Sequence, residues 1–335
     1  MIDIAVLGAG FMGSTHARAL HAIPDVRITS IYGQSGERAK PLAEELGTSW
    51  STDLHAILMD PTIDAVDICL PGPQHREVTE LALAQGKHIL LEKPITLTLD
   101  DANALVALSE PSTQIVMIAH VLRFWPEYVA LQQDVASGRF GAPIQALAIR
   151  RQAFPAWSSL FGQADLTGGA VLDMMIHDYD VLNWILGTPQ TVTARGTRNP
   201  KSGGYDQVQV LIDYGHASAV VDGGMMMPES YPFSSTLEVL CETGALEYHF
   251  QAGGRSVEMG VGRNEYRIFP NTGDPETVAV AQHDPYAAEL EYWVDCIRHG
   301  LEPERATPAD ATMALRVAVA ARASIEAGGL TAVPV

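Results

Sequence analysis

The sequence predicts an α/β protein of two domains, a doubly wound parallel sheet followed by an α/β domain with a large, mainly antiparallel open sheet. The chain has 335 residues, 47% of them apolar, which is more than one ordinary core requires. Up to residue 118, strand-like and helix-like runs alternate strictly, which indicates parallel βαβ units with right-handed crossovers. From residue 144 onward several strand-like runs follow one another through short turns, a pattern typical of antiparallel or mixed sheets.

The first domain is predicted to span residues 1–120 and the second residues 121–335, with the last helix able to pack back on the first domain. In the first domain we predict strands at 2–7, 26–32, 65–70, 88–91 and 114–118, and helices at 15–20, 37–46 and 74–85. In the second we predict strands at 144–151, 191–196, 208–214, 217–223, 234–241 and 244–250, weaker runs near 256 and 266, and helices at 171–185, 286–299 and 308–327.

A glycine pattern, G-x-G-x-x-G, stands between the first strand and the first helix. It comprises Gly8, Gly10 and Gly13, with Phe11 and Met12 inside it. Such glycines permit a tight turn, close approach of a pyrophosphate and close packing of helix on strand, while the helix N-terminus supplies amide donors. The context predicts a Rossmann dinucleotide site; the alternative is a glycine-rich turn of another α/β protein.

The end of the second strand lacks the carboxylate that normally binds the ribose hydroxyls of NAD. Ser35 and Arg38 follow instead, and a hydroxyl and a guanidinium suit a 2′-phosphate. We therefore predict NADP as the favoured cofactor. NAD stays open, because Arg38 could be a solvated helix residue and Glu37 could reach a ribose.

The stretch His88–Pro94 carries an apolar strand directly into Glu92 and Lys93. Because proline disfavours the helical region for the residue before it, Lys93 is held extended and its side-chain direction is restricted. Loops after parallel strands meet at one sheet edge, so we expect this pair to converge with the glycine turn and with residues 71–75. The alternative is a solvated ion pair at a strand end.

A second charged cluster lies in the predicted helix 171–185. Asp173 and His177 stand four residues apart and would share one helical face, with Asp180 one turn further on. A carboxylate beside an imidazole raises its pKa and orients its ring, as a general base near neutral pH requires. The alternative is a salt-bridged surface pair.

The charge balance limits the partners. Lys and Arg total 21 against 40 Asp and Glu, a net charge of −19, which disfavours nucleic acid and anionic membranes. The three cysteines show no spacing typical of a disulfide framework or a zinc site, so no metal is predicted. The strand that follows Met1 leaves no room for a signal peptide, and no apolar run has transmembrane length; we expect a cytoplasmic protein.

Taken together, these motifs resemble the glucose-fructose oxidoreductase and inositol dehydrogenase family (Gfo/Idh/MocA). The resemblance covers most of the chain and rests on residues 8–13, 92–94, 120–126 and 168–180, in the family's order and spacing. It implies NAD(P)-dependent hydride transfer at a hydroxyl or carbonyl carbon of a sugar, cyclitol or related polyol, and a homodimer or homotetramer formed through the C-terminal sheet.

The resemblance also implies roles for single residues. Lys93 would bond the reacting oxygen, and Asp173 and His177 would complete a proton relay; hydride leaves a carbinol carbon only as its hydroxyl loses a proton, so the chemistry agrees. With Glu92 at the same strand end, Pro71 and His75 are expected beside the nicotinamide, and His120 and Arg123, at the domain junction, near the substrate with His177. His75 could instead be a helix N-terminal residue, and Arg123 a structural ion-pair partner. Independently of the resemblance, Trp157 in the loop before the glycine pair either stacks on a sugar face or packs.

Two functions compete. The first is an NAD(P)-dependent dehydrogenase or reductase acting on CH–OH groups of a small molecule. The second is a non-catalytic NAD(P)-binding sensor on the same fold. A sensor has no need of a proton relay, so the presence of Lys93, Asp173 and His177 together favours the enzyme.

Overall fold

A computed structural model describes residues 1–155, 159–254 and 260–334. The chain forms two compact units, Met1–Phe124 with His283–Thr312, and Trp125–Gln282 with Met313–Val335. The sequence interpretation gave everything after residue 120 to the second domain, whereas the structure groups residues 121–124 and 283–312 with the first unit. The reason is that Leu290 and Trp293 are fully buried in the hydrophobic core of the first unit.

The first unit is built on a six-stranded parallel sheet with the order β3-β2-β1-β4-β5-β6. Its strands are β1 (Ile2–Leu7), β2 (Val26–Tyr32), β3 (Ser49–Ser51), β4 (Ala65–Ile68), β5 (His88–Glu92) and β6 (Val116–Ala119). Its helices are α1 (Phe11–Ala22), α2 (Gly36–Leu46), α3 (Leu54–Met59), α4 (His75–Ala84), α5 (Leu99–Ser109) and α10 (Pro285–His299), with short 3-10 turns at Gly72–Gln74 and Val121–Phe124.

The central strands of this sheet are apolar along nearly their whole length because helices cover both faces. All four residues of β4 and the last four of β1 and of β5 are buried. The order of strands reverses between β1 and β4, and in a doubly wound sheet a ligand lies in the crevice at this point, beyond the carboxyl ends of the strands. The fold therefore indicates where the functional residues of this unit should be sought.

The second unit contains a nine-stranded sheet with the order β14-β13-β12-β11-β7-β10-β9-β8-β15. Its strands are β7 (Pro143–Ala153), β8 (Thr191–Arg198), β9 (Tyr205–Asp213), β10 (Ser218–Met227), β11 (Ser234–Cys241), β12 (Gly244–Ala252), β13 (Val261–Pro270), β14 (Glu276–Val278) and β15 (Thr331–Ala332). Among the described strands of this sheet, β7 and β10 are the only pair that is parallel. Burial alternates along β9 and β12, as expected for a sheet with one face on the core.

The helices of this unit include α6 (Pro126–Ala136), α7 (Ala164–Thr167), α8 (Ala170–Asp173), α9 (Ile176–Leu186) and α11 (Pro308–Ala327). The predicted continuous helix 171–185 is wrong, because the helix is interrupted between α8, which ends at Asp173, and α9, which begins at Ile176. At the break the N–H groups of Met174 and Met175 both donate to the carbonyl of Ala170, at 3.1 and 2.9 Å. Met175 lies over Gly223 of β10 so closely that a Cβ there would overlap it, so tertiary packing decides against the regular helix.

The predicted fold class is confirmed: a Rossmann-type parallel sheet followed by an α/β unit with a large, mostly antiparallel sheet. Both late helices, 286–299 and 308–327, also occur, and the weak run near 266 is part of β13. The weak run near 256 lies outside the described residues. Among the described helices, none combines the length and hydrophobicity needed to span a bilayer.

Candidate functional site

The glycine turn is shaped by two contacts that leave no room for side chains. Gly8 has φ 128°, and a Cβ on it would overlap the carbonyl oxygen of Cys69; a Cβ on Gly13 would overlap the carbonyl oxygen of Gly8. A Cβ on Gly10, in contrast, would meet nothing within 4 Å. Two of the glycines thus allow α1 to pack closely, and the third leaves open space where a pyrophosphate can approach the backbone.

The start of α1 suits an anionic ligand. Gly10 occupies the N-cap position in an extended conformation, so no side chain caps the helix. The amides of the first turn, beginning at Phe11 and Met12, therefore lie at the end of a 12-residue helix whose dipole favours negative charge. The residues present fit a dinucleotide cofactor at this turn.

The register of the parallel strands brings the other predicted cofactor residues to the same edge. Leu7 at the end of β1 pairs with Tyr32 of β2 and Ile68 of β4, and Ile68 pairs in turn with Leu91 of β5. The predicted cofactor residues that follow these strand ends are Gly8, Gly10, Gly13, Ser35, Pro71, Glu92 and Lys93.

At the end of β2, Ser35 is extended and occupies the N-cap position of α2 without a side-chain cap bond. Arg38 lies in the first turn of this helix and is exposed. Within residues 1–155, 159–254 and 260–334, Arg38 forms no ion pair. Glu37 beside it is exposed. A hydroxyl and a guanidinium therefore stand at the strand end where a ribose would lie.

At the end of β5 the charged residues are not a solvated pair. Glu92 is only 7% exposed, and its Oε2 accepts the backbone N–H of Lys93 at 3.0 Å. Lys93 is half-buried, and its peptide bond to Pro94 is cis. On the other side, His75 Nδ1 lies 2.9 Å from the Pro94 carbonyl and Nε2 2.8 Å from the Leu70 carbonyl. His75 thus braces the segment after β4 against the segment after β5, and its direct contact with a cofactor stays a prediction.

A buried polar cluster beneath the glycine turn was not predicted from the sequence. His16 is fully buried one turn into α1, and its Nδ1 lies 3.1 Å from both carboxylate oxygens of Asp67 on β4. Its Nε2 lies 3.5 Å from Oε1 of Glu92. Cys69 Sγ is 3.5 Å from His16 Nδ1 and 3.4 Å from Asp67 Oδ1. The signal that could have found this cluster is a lone carboxylate within the apolar strand Ala65–Ile68.

The opposite charges in this cluster shift the pKa values of its members. Burial by itself would lower the pKa of His16, but the negative charges of Asp67, Glu92 and Glu289 and the hydrogen bond to Asp67 outweigh it and raise the pKa to about 9. Burial raises the pKa of Glu92, and the positive charges of His16 and Lys93 oppose that rise. Near neutral pH, His16 is therefore a buried cation between two carboxyl groups.

The same atoms also form the one group of possible metal ligands among the described residues. The donor atoms of His16, Asp67 and Cys69 lie within 4.8 Å of one another. However, burial raises the pKa of the Cys69 thiol well above its usual range, and Asp67 is placed to accept the His16 N–H with both oxygens. A hydrogen-bonded ion pair accounts for the geometry without a metal.

In the second unit, a glycine pair and a carboxylate position Asp173. Gly168 and Gly169 have φ 80° and 73°, and the N–H of Ala170, at the start of α8, donates to Asp206 Oδ1 at 3.0 Å. Asp173 ends α8 and His177 lies in the first turn of α9. Because the helix is interrupted between Asp173 and His177, the two residues do not share the face of one helix. Their joint role as a proton relay is what the family resemblance implies.

The segment that carries His177 is fixed by the residue next to it. Asp178 accepts two bonds of 2.9 Å from Arg150 of β7, one from Nε and one from Nη2, and Arg150 also donates to the hydroxyl of Tyr128 at 3.2 Å. Both partners are buried, at 4% and 2% exposure. Asp180, which the sequence placed one turn beyond His177, is fully buried as well. Asp178, which was not singled out from the sequence, anchors α9 to the sheet.

The structure describes two of the expected substrate residues, His120 and Arg123, but not Trp157. His120 and Arg123 are buried in the first unit, and Arg123 Nη2 lies 3.3 Å from Asp310 Oδ1. The ion-pair alternative for Arg123 therefore has a partner. Trp157 lies outside the described residues, and a substrate contact by His120 or Arg123 stays a prediction. Lys93 belongs to the first compact unit and Asp173 and His177 to the second, so their joint action is also a prediction.

Comparison with known proteins places these features in a family. A model described as "Oxidoreductase family, NAD-binding Rossmann fold" matches residues 2–120, and one described as "GFO/IDH/MocA C-terminal domain" matches residues 128–247. The scyllo-inositol 2-dehydrogenase (NAD(+)) of Bacillus subtilis strain 168 is 28% identical over 334 residues, which are 98% of this chain and 95% of that protein.

Two solved structures extend the likeness. UDP-N-acetylglucosamine 3-dehydrogenase GnnA from Acidithiobacillus ferrooxidans superposes with a TM-score of 0.80 at 25% identity, covering 97% of this chain and 98% of that one. Levoglucosan dehydrogenase in complex with NADH superposes with a TM-score of 0.88 over 99% of each chain. At 20% identity, the second match concerns the fold alone.

The charged pair at His16 predicts a pH dependence of stability. Because the pKa of His16 rises from 6.5 to about 9 on folding, its contribution is fully present below pH 6.5 and is lost as pH rises through about 9. We expect the free energy of unfolding, measured by urea titration, to fall on the order of 3 kcal/mol over this window. In Asp67→Asn, which removes the charge that raises the pKa, most of this fall should disappear. An equal fall in both proteins would contradict the assignment.

Proposed function

Because the chain belongs to the GFO/IDH/MocA oxidoreductase family, we propose that it transfers hydride between a nicotinamide cofactor and a CH–OH carbon of a sugar, cyclitol or related polyol. It is an NAD-binding dehydrogenase acting on CH–OH groups. The observation that carries the proposal is that Lys93 and the glycine turn lie at the same edge of one parallel sheet. The relatives' names include a cyclitol and a nucleotide sugar, which is why the substrate class is drawn this widely.

The glycine turn and the start of α1 would hold the pyrophosphate, and the bound nicotinamide supplies the acceptor for hydride. Lys93 is the group we assign to the reacting oxygen. As hydride leaves the carbon, its hydroxyl loses a proton and negative charge develops on the oxygen. An ammonium fixed beside that oxygen stabilises the charge without having to reorganise.

We assign the proton itself to His177, with Asp173 orienting the imidazole. An imidazole can accept a proton near neutral pH and return it in the reverse direction. The support is that α9 is anchored through Asp178 to Arg150, so the segment bearing His177 has a defined position in its own unit. The glycine pair before α8 places Asp173 in a similarly restricted segment.

We further propose that NADP is preferred over NAD. The support is that residues 32–36, at the end of β2, contain no carboxylate to accept the ribose hydroxyls, while Ser35 and Arg38 nearby offer a hydroxyl and a guanidinium that suit a 2′-phosphate. The relatives named above include one whose name specifies NAD(+), so the preference is a property proposed for this chain and not for the family.

The role of Lys93 is tested by Lys93→Met, which keeps the length of the side chain and removes its charge. On a substrate found by following nicotinamide absorbance with sugars, cyclitols and sugar acids, we expect kcat to fall about 10³-fold. Binding of NADPH, followed by fluorescence, should change little. Lys40→Met is the matched control, because Lys40 is exposed on α2 and forms a surface ion pair with Glu44. Full turnover by Lys93→Met would refute the assignment.

Cofactor preference is tested by kcat/KM for NADP and NAD in the same assay. We expect NADP to be favoured, and Arg38→Ala to lower kcat/KM for NADP by roughly 10-fold or more while leaving NAD nearly unchanged, since one charge-assisted contact to phosphate is lost. Equal losses with both cofactors, or a clear preference of the unmodified protein for NAD, would overturn this part of the proposal.

A further inference from the structure

One imidazole connects the glycine-turn helix to the strand that carries Lys93. His16 lies on α1 three residues after Gly13, and the close packing that Gly13 permits brings its ring down onto the sheet. There Nδ1 faces both oxygens of Asp67 at 3.1 Å, and Nε2 faces Oε1 of Glu92 at 3.5 Å. The ring therefore spans two neighbouring strands.

The connection continues to Lys93 through the backbone. The other oxygen of Glu92, Oε2, accepts the N–H of Lys93 at 3.0 Å. Asp67, His16 and Glu92 thus form a series of contacts that ends on the main chain of Lys93. His16 is hydrogen-bonded to Asp67, whereas its Nε2 faces Glu92 as an ion pair without a hydrogen bond. Because His16 and Asp67 are fully buried and Glu92 nearly so, none of these groups can exchange its partner for water without a large cost.

We propose that His16, oriented by Asp67, is a positioning residue that fixes Glu92 and through it the backbone of Lys93 for hydride transfer. This inference rests on the role of Lys93 proposed above. A reacting group must be held within a few tenths of an ångström of its productive position, and a displacement of about 1 Å can cost 10²-fold in rate. The contact between His75 and the Pro94 carbonyl restrains the same segment from its other side.

The groups that face His16 come from every element packed against it. Asp67 and Cys69 approach from β4 and its end, and Glu92 from the end of β5. From α10, the ring of Tyr286 lies 6.5 Å away, and the buried Glu289 adds negative charge. Three carboxyl groups thus surround one imidazole, and they keep it protonated until about pH 9.

The test compares His16→Gln and Asp67→Asn with the unmodified protein. Glutamine can bond one carboxyl group but cannot span both or carry charge, so we expect kcat to fall roughly 10- to 100-fold. The cofactor KM and the NADPH dissociation constant should stay within about 3-fold, because the glycine turn itself is unchanged. His88→Gln, at the opposite end of β5, is the matched control and should leave kcat within about 2-fold.

The pH profile separates positioning from simple destabilisation. In the unmodified protein, kcat should hold up to about pH 9 and then fall as His16 loses its proton. In Asp67→Asn the alkaline limb should move to lower pH, because the main charge that holds the proton is gone. If His16→Gln does not fold, the positioning role is tested by two other observations. These are the fall of kcat above about pH 9 in the unmodified protein and the shift of that fall to lower pH in Asp67→Asn.

Three outcomes would overturn the inference. Unchanged kcat in folded His16→Gln, while Lys93→Met is inactive, would remove the positioning role and leave the proposed function intact. A rise in cofactor KM with kcat unchanged would assign His16 to the glycine turn instead. Stoichiometric transition metal in the purified protein, lost in Cys69→Ser, would replace the ion pair with a metal site. Full activity of Lys93→Met would refute the proposed function itself.

Discussion

The close approach of α1 to the first parallel strands is the constraint on which the first unit depends. It exists because neither Gly8 nor Gly13 could carry a Cβ without overlapping a backbone carbonyl oxygen. The same approach has two consequences: it presents the uncapped start of α1 to a phosphate, and it brings His16 between Asp67 and Glu92. The proposed phosphate site and the proposed positioning of Lys93 thus both rest on one packing contact.

The two histidines near Lys93 illustrate how burial and charge compete. His75 is buried among backbone carbonyls, and burial lowers its pKa, while its two ring nitrogens lie against the carbonyls of Pro94 and Leu70 in two loops. His16 is equally buried, but the carboxyl groups around it outweigh the cost of desolvation and raise its pKa to about 9. Burial thus dominates the pKa of one histidine near Lys93, and the surrounding carboxyl groups dominate the pKa of the other.

Much of the fold could be predicted from the sequence because it depends on local patterns. Alternating apolar runs and the glycine turn identified the parallel sheet, and the loops at Gly8 and Lys93 do meet at one edge. The break between α8 and α9 could not be predicted, since it follows from Met175 packing on Gly223, far away in sequence. The role of His16 was not predicted for a similar reason. Its partners Asp67 and Glu92 lie on two other strands, and no regular spacing along the chain links them to His16.

The second unit shows the same limit at its candidate site. Asp173, His177 and Asp180 stood out by spacing, whereas the contact that holds α9 is the buried pair of Asp178 with Arg150, 28 residues earlier in the chain. A charged residue in a mostly apolar segment was the available signal, and only the fold decides which carboxylate pairs with which strand. The roles of the residues chosen by motif stay predictions, whereas the Asp178–Arg150 contact is visible only in the folded chain.

The central claim is that the buried His16 cluster acts on catalysis through Lys93, and a double-mutant cycle tests it most directly. Single-turnover hydride transfer would be measured for His16→Gln, Lys93→Met and the double variant. If His16 works by placing Lys93, then His16→Gln should slow the residual rate of Lys93→Met by less than about 3-fold, although it slows the intact enzyme much more. If the two losses multiply in full, the residues act independently and the account is wrong.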